Sequence, residues 1–173
     1  KINLPQKILG QYGVLEVMET IESCIRKYPG ETVAYSKKSL ETLEKSLPVY
    51  ASSNRLWKLA GSVSSTIAVQ EQDPKIKMDY LGKSQQYFEK ALALSPKSQE
   101  IILSMAHLDI LKKDCSSAKA RADQCIALDQ NNGACYWTKA QAFICEKNFA
   151  TAEENIEIAK NLNFESKYDS SIQ

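Results

Sequence analysis

Five cysteines and a single histidine hold most of the redox and metal-binding chemistry available to this 173-residue chain. Cys115, Cys125, Cys135 and Cys145 recur at a constant interval of ten, which matches neither a zinc-ligand pair nor one face of a helix. No CxxC, HExxH, GxGxxG or phosphate-loop pattern is present, and His107 alone cannot supply a relay of imidazoles. Glu153, Glu154 and Glu157 fall on one side of a helical stretch, away from its small residues, and read as a solvated face. The expectation is a chain without catalytic residues, metal site or cofactor.

Composition narrows the class further. Lys and Arg number 22 against 21 Asp and Glu, a formal charge of +1, so no broad field gathers nucleic acid or an anionic membrane. Lys and Glu are mixed around the aromatic residues, which disfavours a single-strand binding track. Only six Gly and five Pro occur, few for a turn-rich sandwich or barrel. No apolar run approaches the roughly 18 residues of a membrane span, so direct membrane insertion is not expected. The chain opens on Lys1, which leaves room for an upstream signal or anchor, and the compartment stays open between cytoplasm and bacterial cell envelope.

The elements that must position these residues show a period of 34. Ser84, Ala118 and Ala152 align at that step, as do Phe88, Ala122 and Ile156, then Ala91, Cys125 and Ala159, then Leu94, Leu128 and Leu162. Within each unit the first three columns lie four and three apart, a single stripe on a helix, and its small residues permit close helix approach. Ala106 with Ala140, Ile110 with Ile144, and Lys113-Asp114 with Lys147-Asn148 extend the period over a second helix. Asp114 and Asn148 are placed as N-caps. Ser95-Pro96 and Asp129-Gln130-Asn131-Asn132-Gly133 separate the units, with Pro96 suited to a first helical position.

These residues resemble the tetratricopeptide repeat family. Ile102 and Ala106 with Ala118, Ala122 and Cys125 match its two helices over 99–132, and Tyr136, Ala140 and Phe143 with Ala152, Ile156 and Ala159 match over 133–166. A longer unit over 54–98 pairs Trp57, Ala60 and Gly61 with Ser84, Phe88, Ala91 and Pro96, with about eleven extra residues around Gln72-Asp73-Pro74. Residues 1–53 carry no copy. Leu15, Met18, Ile21 and Ile25, then Leu40, Leu43 and Leu47, predict helices that stack on the array, and 167–173 form a short tail. The resemblance implies an all-α, right-handed superhelical solenoid. Asp109, Lys139, Gln130 and Phe164 depart from the family pattern. Asp109 and Lys139 either pair with each other, partly buried, or send their stems to solvent.

The same resemblance implies a groove along the first helix of each unit. By position it would be lined by Arg55, Lys58 and Ser62, then Glu100, Leu103, His107 and Ile110, then Trp137, Gln141 and Ile144. Ser62, Glu100 and Leu103 depart from the family's clamp for chaperone carboxylates and disfavour that ligand. Trp137 and Leu103 either anchor an apolar peptide or helix from another protein, or pack against neighbouring helices. The implied function is a protein-interaction scaffold that helps assemble a complex. A looser resemblance, over roughly 50–166, is to the soluble repeat tails of bacterial O-antigen ligase or polymerase-like membrane proteins, which would make this a non-catalytic extracytoplasmic domain. Self-association through an uncapped C-terminal face is compatible with both.

In a hairpin turning near Gln130, Cys125 is level with Cys135, and Cys115 with Cys145. Two readings follow: two disulfide staples, or small buried hydrophobes in a reducing cytosol. Level alone does not decide between them, and Cys24 is left over in either case.

Overall fold

The computed structural model describes residues 29–164, together with the helical positions Gly13, Glu16, Glu19 and Ser23. The apolar stripe Leu15, Met18, Ile21 and Ile25 lies outside the described residues. A 3-10 turn at Pro29–Glu31 leads into seven α-helices among the described residues: α1 Thr32–Ser46, α2 Asn54–Gln70, α3 Pro74–Leu94, α4 Gln99–Leu111, α5 Cys115–Leu128, α6 Gly133–Cys145 and α7 Phe149–Asn161. They fall into two compact units that divide between Leu94 and Ser95.

The first unit is built on the α2–α3 hairpin. Ser53 caps α2 by accepting from the Leu56 N–H, and Asp73 accepts from the N–H groups of Lys75 and Ile76 at 2.8 and 3.2 Å. Pro74 then occupies the first position of α3, where a missing N–H leaves nothing unsatisfied. The extra residues of this unit therefore lengthen two helices and leave only residues 71–73 between them. The hairpin closes tightly because Gly61 faces Phe88: a Cβ at Gly61 would stand 2.7 Å from the ring. Ser84 Oγ donates to the Gly61 carbonyl at 2.9 Å in the same contact.

Leu40 and Leu43 of α1, with Leu47 just past its end, join Leu56, Ala60 and Ile67 of α2 in one core, all buried. Each such leucine contributes about 1.5–3 kcal/mol by leaving water. Around this core Trp57 meets Tyr87 with ring centroids 6.0 Å apart, and Glu44 of α1 accepts from Tyr87 Oη at 2.7 Å and from Lys83 Nζ at 2.9 Å.

In the second unit, hairpins α4–α5 and α6–α7 repeat one design. At each hairpin turn a lysine takes a left-handed conformation, Lys113 and Lys147 both at φ 62°. Its N–H and that of the next residue return to the helix carbonyls, from Lys113 to Ile110 and Asp114 to Asp109, then from Lys147 to Ile144 and Asn148 to Phe143, each at 2.9 Å. Asp114 and Asn148 then cap the following helices, accepting from Ser117 N–H at 3.1 Å and Thr151 N–H at 3.3 Å. One residue thus ends one helix and starts the next. Pro96 does not begin a helix; α4 starts at Gln99 behind the N-cap Ser98, and Pro96 lies in the preceding turn.

The small-residue stripe is buried where two hairpins meet, with Ala118, Ala122 and Cys125 fully enclosed. In α7 Ala152 and Ala159 are buried while Ile156 is half-buried. Asp109 and Lys139 do not pair with each other. Arg121 Nε donates to Asp109 Oδ2 at 2.6 Å, and Lys139 Nζ lies 2.7 Å from Asp123 Oδ1. Both partners project from α5, which lies against α4 and α6 and so reaches each charge first.

Candidate functional site

Helices α4 and α6 are the first helices of their hairpins and lie beside each other in the second unit. His107 Nε2 and Gln141 Oε1, one repeat apart in sequence, are 3.1 Å apart. Thr138 Oγ1 stands 3.4 Å from the same ring nitrogen while donating to the Ala134 carbonyl at 2.9 Å. Leu103, His107 and Ile110 occupy one face of α4, and Trp137, Gln141 and Ile144 the matching face of α6, at steps of four and three. These six are half-buried or exposed, while Ile101, Ile102, Met105, Ala106 and Leu108 on α4, and Cys135, Thr138, Ala140 and Ala142 on α6, are buried. The result is an apolar strip with a neutral polar pair at its centre.

The imidazole is open to solvent on one side, yet the surrounding protein lowers its pKa by disfavouring the charged form, against a smaller upward pull from Gln141. Its described partners, Gln141 and Thr138, are neutral, so the pair can exchange hydrogen bonds with an amide or hydroxyl. Glu100 is exposed at the start of α4. Arg55, exposed, and Lys58 and Ser62, half-buried, belong to α2 of the first unit and are described there alone.

Trp137 has a neighbour in its own chain. Its ring centroid is 6.2 Å from that of Phe164, just beyond α7. The Phe164 N–H returns to the Ala159 carbonyl at 3.0 Å around Asn163 at φ 57°, which turns Phe164 back over the start of α6. A Cβ at Gly133 would lie 2.6 Å from Phe164 Cβ, so this approach requires glycine. Phe164 takes a packing role. Trp137 is thus half-buried and packed against a neighbour in its own chain.

Helices α5 and α6 are joined at both ends. Cys115 is bonded to Cys145 and Cys125 to Cys135, with Cα separations of 5.6 and 5.7 Å, well within bridging reach. Cys125 and Cys135 are 0% exposed; Cys115 and Cys145 are half-buried. Gln99, which no motif singled out, donates through Nε2 to the Cys125 carbonyl at 3.0 Å and accepts from Asn132 Nδ2 at 3.2 Å. It ties the start of α4 to the turn beside the inner bridge. Among the described residues no group of three or more His, Cys, Asp or Glu is arranged to hold a metal, and no helix is long and apolar enough to cross a membrane.

No protein-family profile and no curated protein matches this sequence. The architecture does match solved structures. TTC0263, a thermophilic TPR protein of Thermus thermophilus, aligns with a TM-score of 0.68 at 13% identity, covering 88% of this chain and 84% of that one. Two structures of MamA align at TM-scores of 0.62 and 0.61 with 10% and 11% identity, covering 88% and 94% of this chain and 90% and 82% of theirs. The chain has an all-α, tetratricopeptide-like fold. At such identities the likeness speaks to fold alone. It adds no support to the narrower resemblance to O-antigen ligase tails.

Proposed function

We propose that this chain is a non-catalytic adaptor whose second unit takes a short apolar segment of a partner protein between α4 and α6. The observation that carries this reading is the strip Leu103, Ile110, Trp137 and Ile144, half-buried or exposed around the His107–Gln141 pair while the opposite sides of both helices are buried. An apolar strip with a central polar pair suits a peptide that offers side chains to the flanks and a main-chain amide to the middle. Selection of peptides on the full chain from a display library tests it. Peptides selected for tight binding should lose at least tenfold affinity to Leu103→Glu and Ile144→Arg, with the helical signal and Tm unchanged. Binding indifferent to both substitutions would place the contact elsewhere and sink this reading.

The two cysteine bridges favour an oxidising, extracytoplasmic setting for the adaptor, because such bonds persist where thiols are not kept reduced. Intact mass of never-reduced protein, before and after alkylation under denaturing conditions, tests that setting. One alkylated thiol supports it and five would remove it.

A further inference from the structure

The two bridges are chemically alike but differently reachable. Both join the N-terminal turn of one helix to the C-terminal turn of its antiparallel neighbour: Cys115 opens α5 and Cys145 closes α6, while Cys135 is in the first turn of α6 and Cys125 in the last of α5. A thiolate at a helix N-terminus is stabilised, so attack on the C-terminal sulfur has a good leaving group in either case. Access then separates them. Cys125 and Cys135 are fully enclosed, with Gln99 Nε2 3.7 Å from Cys135 Sγ, whereas Cys115 and Cys145 are half-buried.

We propose that Cys115–Cys145 is a thiol-responsive clasp on the outer end of the α5–α6 pair, which a small dithiol opens while Cys125–Cys135 stays closed. In the reaction a dithiol's thiolate attacks Cys145 Sγ, and Cys115 leaves as a thiolate that takes a proton. The reagent's second thiol then displaces Cys145. Two electrons and two protons pass to the protein, and the reagent becomes a cyclic disulfide.

Opening is local because other contacts brace the same end. Lys119 Nζ binds Glu146 Oε1 at 2.8 Å and stands 5.3 Å from the centre of the Phe143 ring. The inner bridge holds the start of α6, so the helix loosens from its far end. Ile144 adjoins Cys145, so loosening moves one flank of the strip; that consequence for ligand binding rests on the adaptor reading, whereas the clasp itself does not.

The test uses the ligand-free full chain, with Cys24 first blocked by alkylation. Graded dithiothreitol, alkylation and peptide mapping should label Cys115 and Cys145 at reductant levels that leave Cys125 and Cys135 unlabelled. Amide exchange over 143–149 should quicken about tenfold while 99–108 is unchanged. The double variant Cys115→Ser with Cys145→Ser should show the same exchange pattern without reductant. Simultaneous labelling of all four cysteines, labelling before any reductant, or clasp opening without faster exchange would each overturn the proposal.

Discussion

The sharpest local constraints are the places where a side chain has no room or a backbone turns the wrong way. At Gly61 and Gly133 a single methyl would meet Phe88 and Phe164 at 2.7 and 2.6 Å. Gly61→Ala and Gly133→Ala should each destabilise the chain by about 1–3 kcal/mol, the usual effect of overpacking, measured by denaturant unfolding of the oxidised protein. A loss below a few tenths would mean that the helices shift freely. Lys113 and Lys147 pose the opposite case, since a left-handed lysine is strained where glycine is not. Lys147→Gly should raise stability by up to about 1 kcal/mol, and a clear loss would show that its side chain matters more than its backbone. Asp109 and Arg121 are a third. Arg121→Met strands a largely buried carboxylate and should cost about 1–3 kcal/mol, whereas Asp109→Leu with Arg121→Met should recover most of it. A double variant no better than the single one would refute a role for the unpaired charge.

Between residues and the whole lie the helices, and much of their arrangement was legible in the sequence. A period of 34 located both hairpins of the second unit because columns such as Ala106 with Ala140 must be small wherever helices touch. Asp114 and Asn148 were legible as caps because a short acceptor before an apolar run has few other uses. Facing was less legible. Numbering places Cys115 level with Cys145, but helix rotation decides whether the sulfurs meet, and rotation follows from packing of the entire stripe. Partner choice was equally hidden: Asp109 and Lys139 lie on neighbouring first helices, yet α5 offers Arg121 and Asp123 as the partners they take. Phe164 could not be assigned a role, because its contact with Trp137 depends on a turn around Asn163 that no periodicity marks. The strip on α4 and α6 was implied only position by position through the family resemblance, and the contact of His107 with Gln141, one repeat apart, was marked by no motif. The inner bridge carries a prediction at this scale. Cys125→Ala with Cys135→Ala should cost about 2–4 kcal/mol, since it frees a chain loop and removes two fully buried sulfurs. An unchanged unfolding midpoint under non-reducing conditions would show that the bridge contributes nothing.

At the scale of the whole molecule, the shifted groups among the described residues predict a stability profile with two falling limbs. Asp114 is held below its ordinary value by the backbone and hydroxyl of Ser117, and Glu71 by Lys37. Burial pushes Glu44 up, but Tyr87 and Lys83 outweigh it and leave it lowered. A carboxylate lowered in the folded state contributes stability above its unfolded pKa, near 4, and loses it as pH falls further. His107, lowered by burial, adds to that limb from about pH 6.5 downward, because the unfolded chain takes the proton first. Asp109 runs against it: burial raises its carboxyl despite Arg121, so its contribution is greatest when protonated and is lost as pH rises from about 4. With three carboxyls and one histidine lowered and one carboxyl raised among the described residues, stability should fall in acid. At the alkaline end Tyr87 is raised by burial and by the Glu44 carboxylate, so the folded state keeps a proton that the unfolded chain releases near pH 10. Stability should therefore decline again as pH climbs past about 10, and Tyr87→Phe should flatten that decline and, by removing a donor to Glu44, also make the acid limb shallower without abolishing it. Thermal unfolding of the oxidised chain from pH 3 to 11 reads both limbs. A Tyr87→Phe profile that keeps the full alkaline slope would assign the loss to other groups, and a wild-type Tm that climbs below pH 4 would mean that Asp109 outweighs the rest.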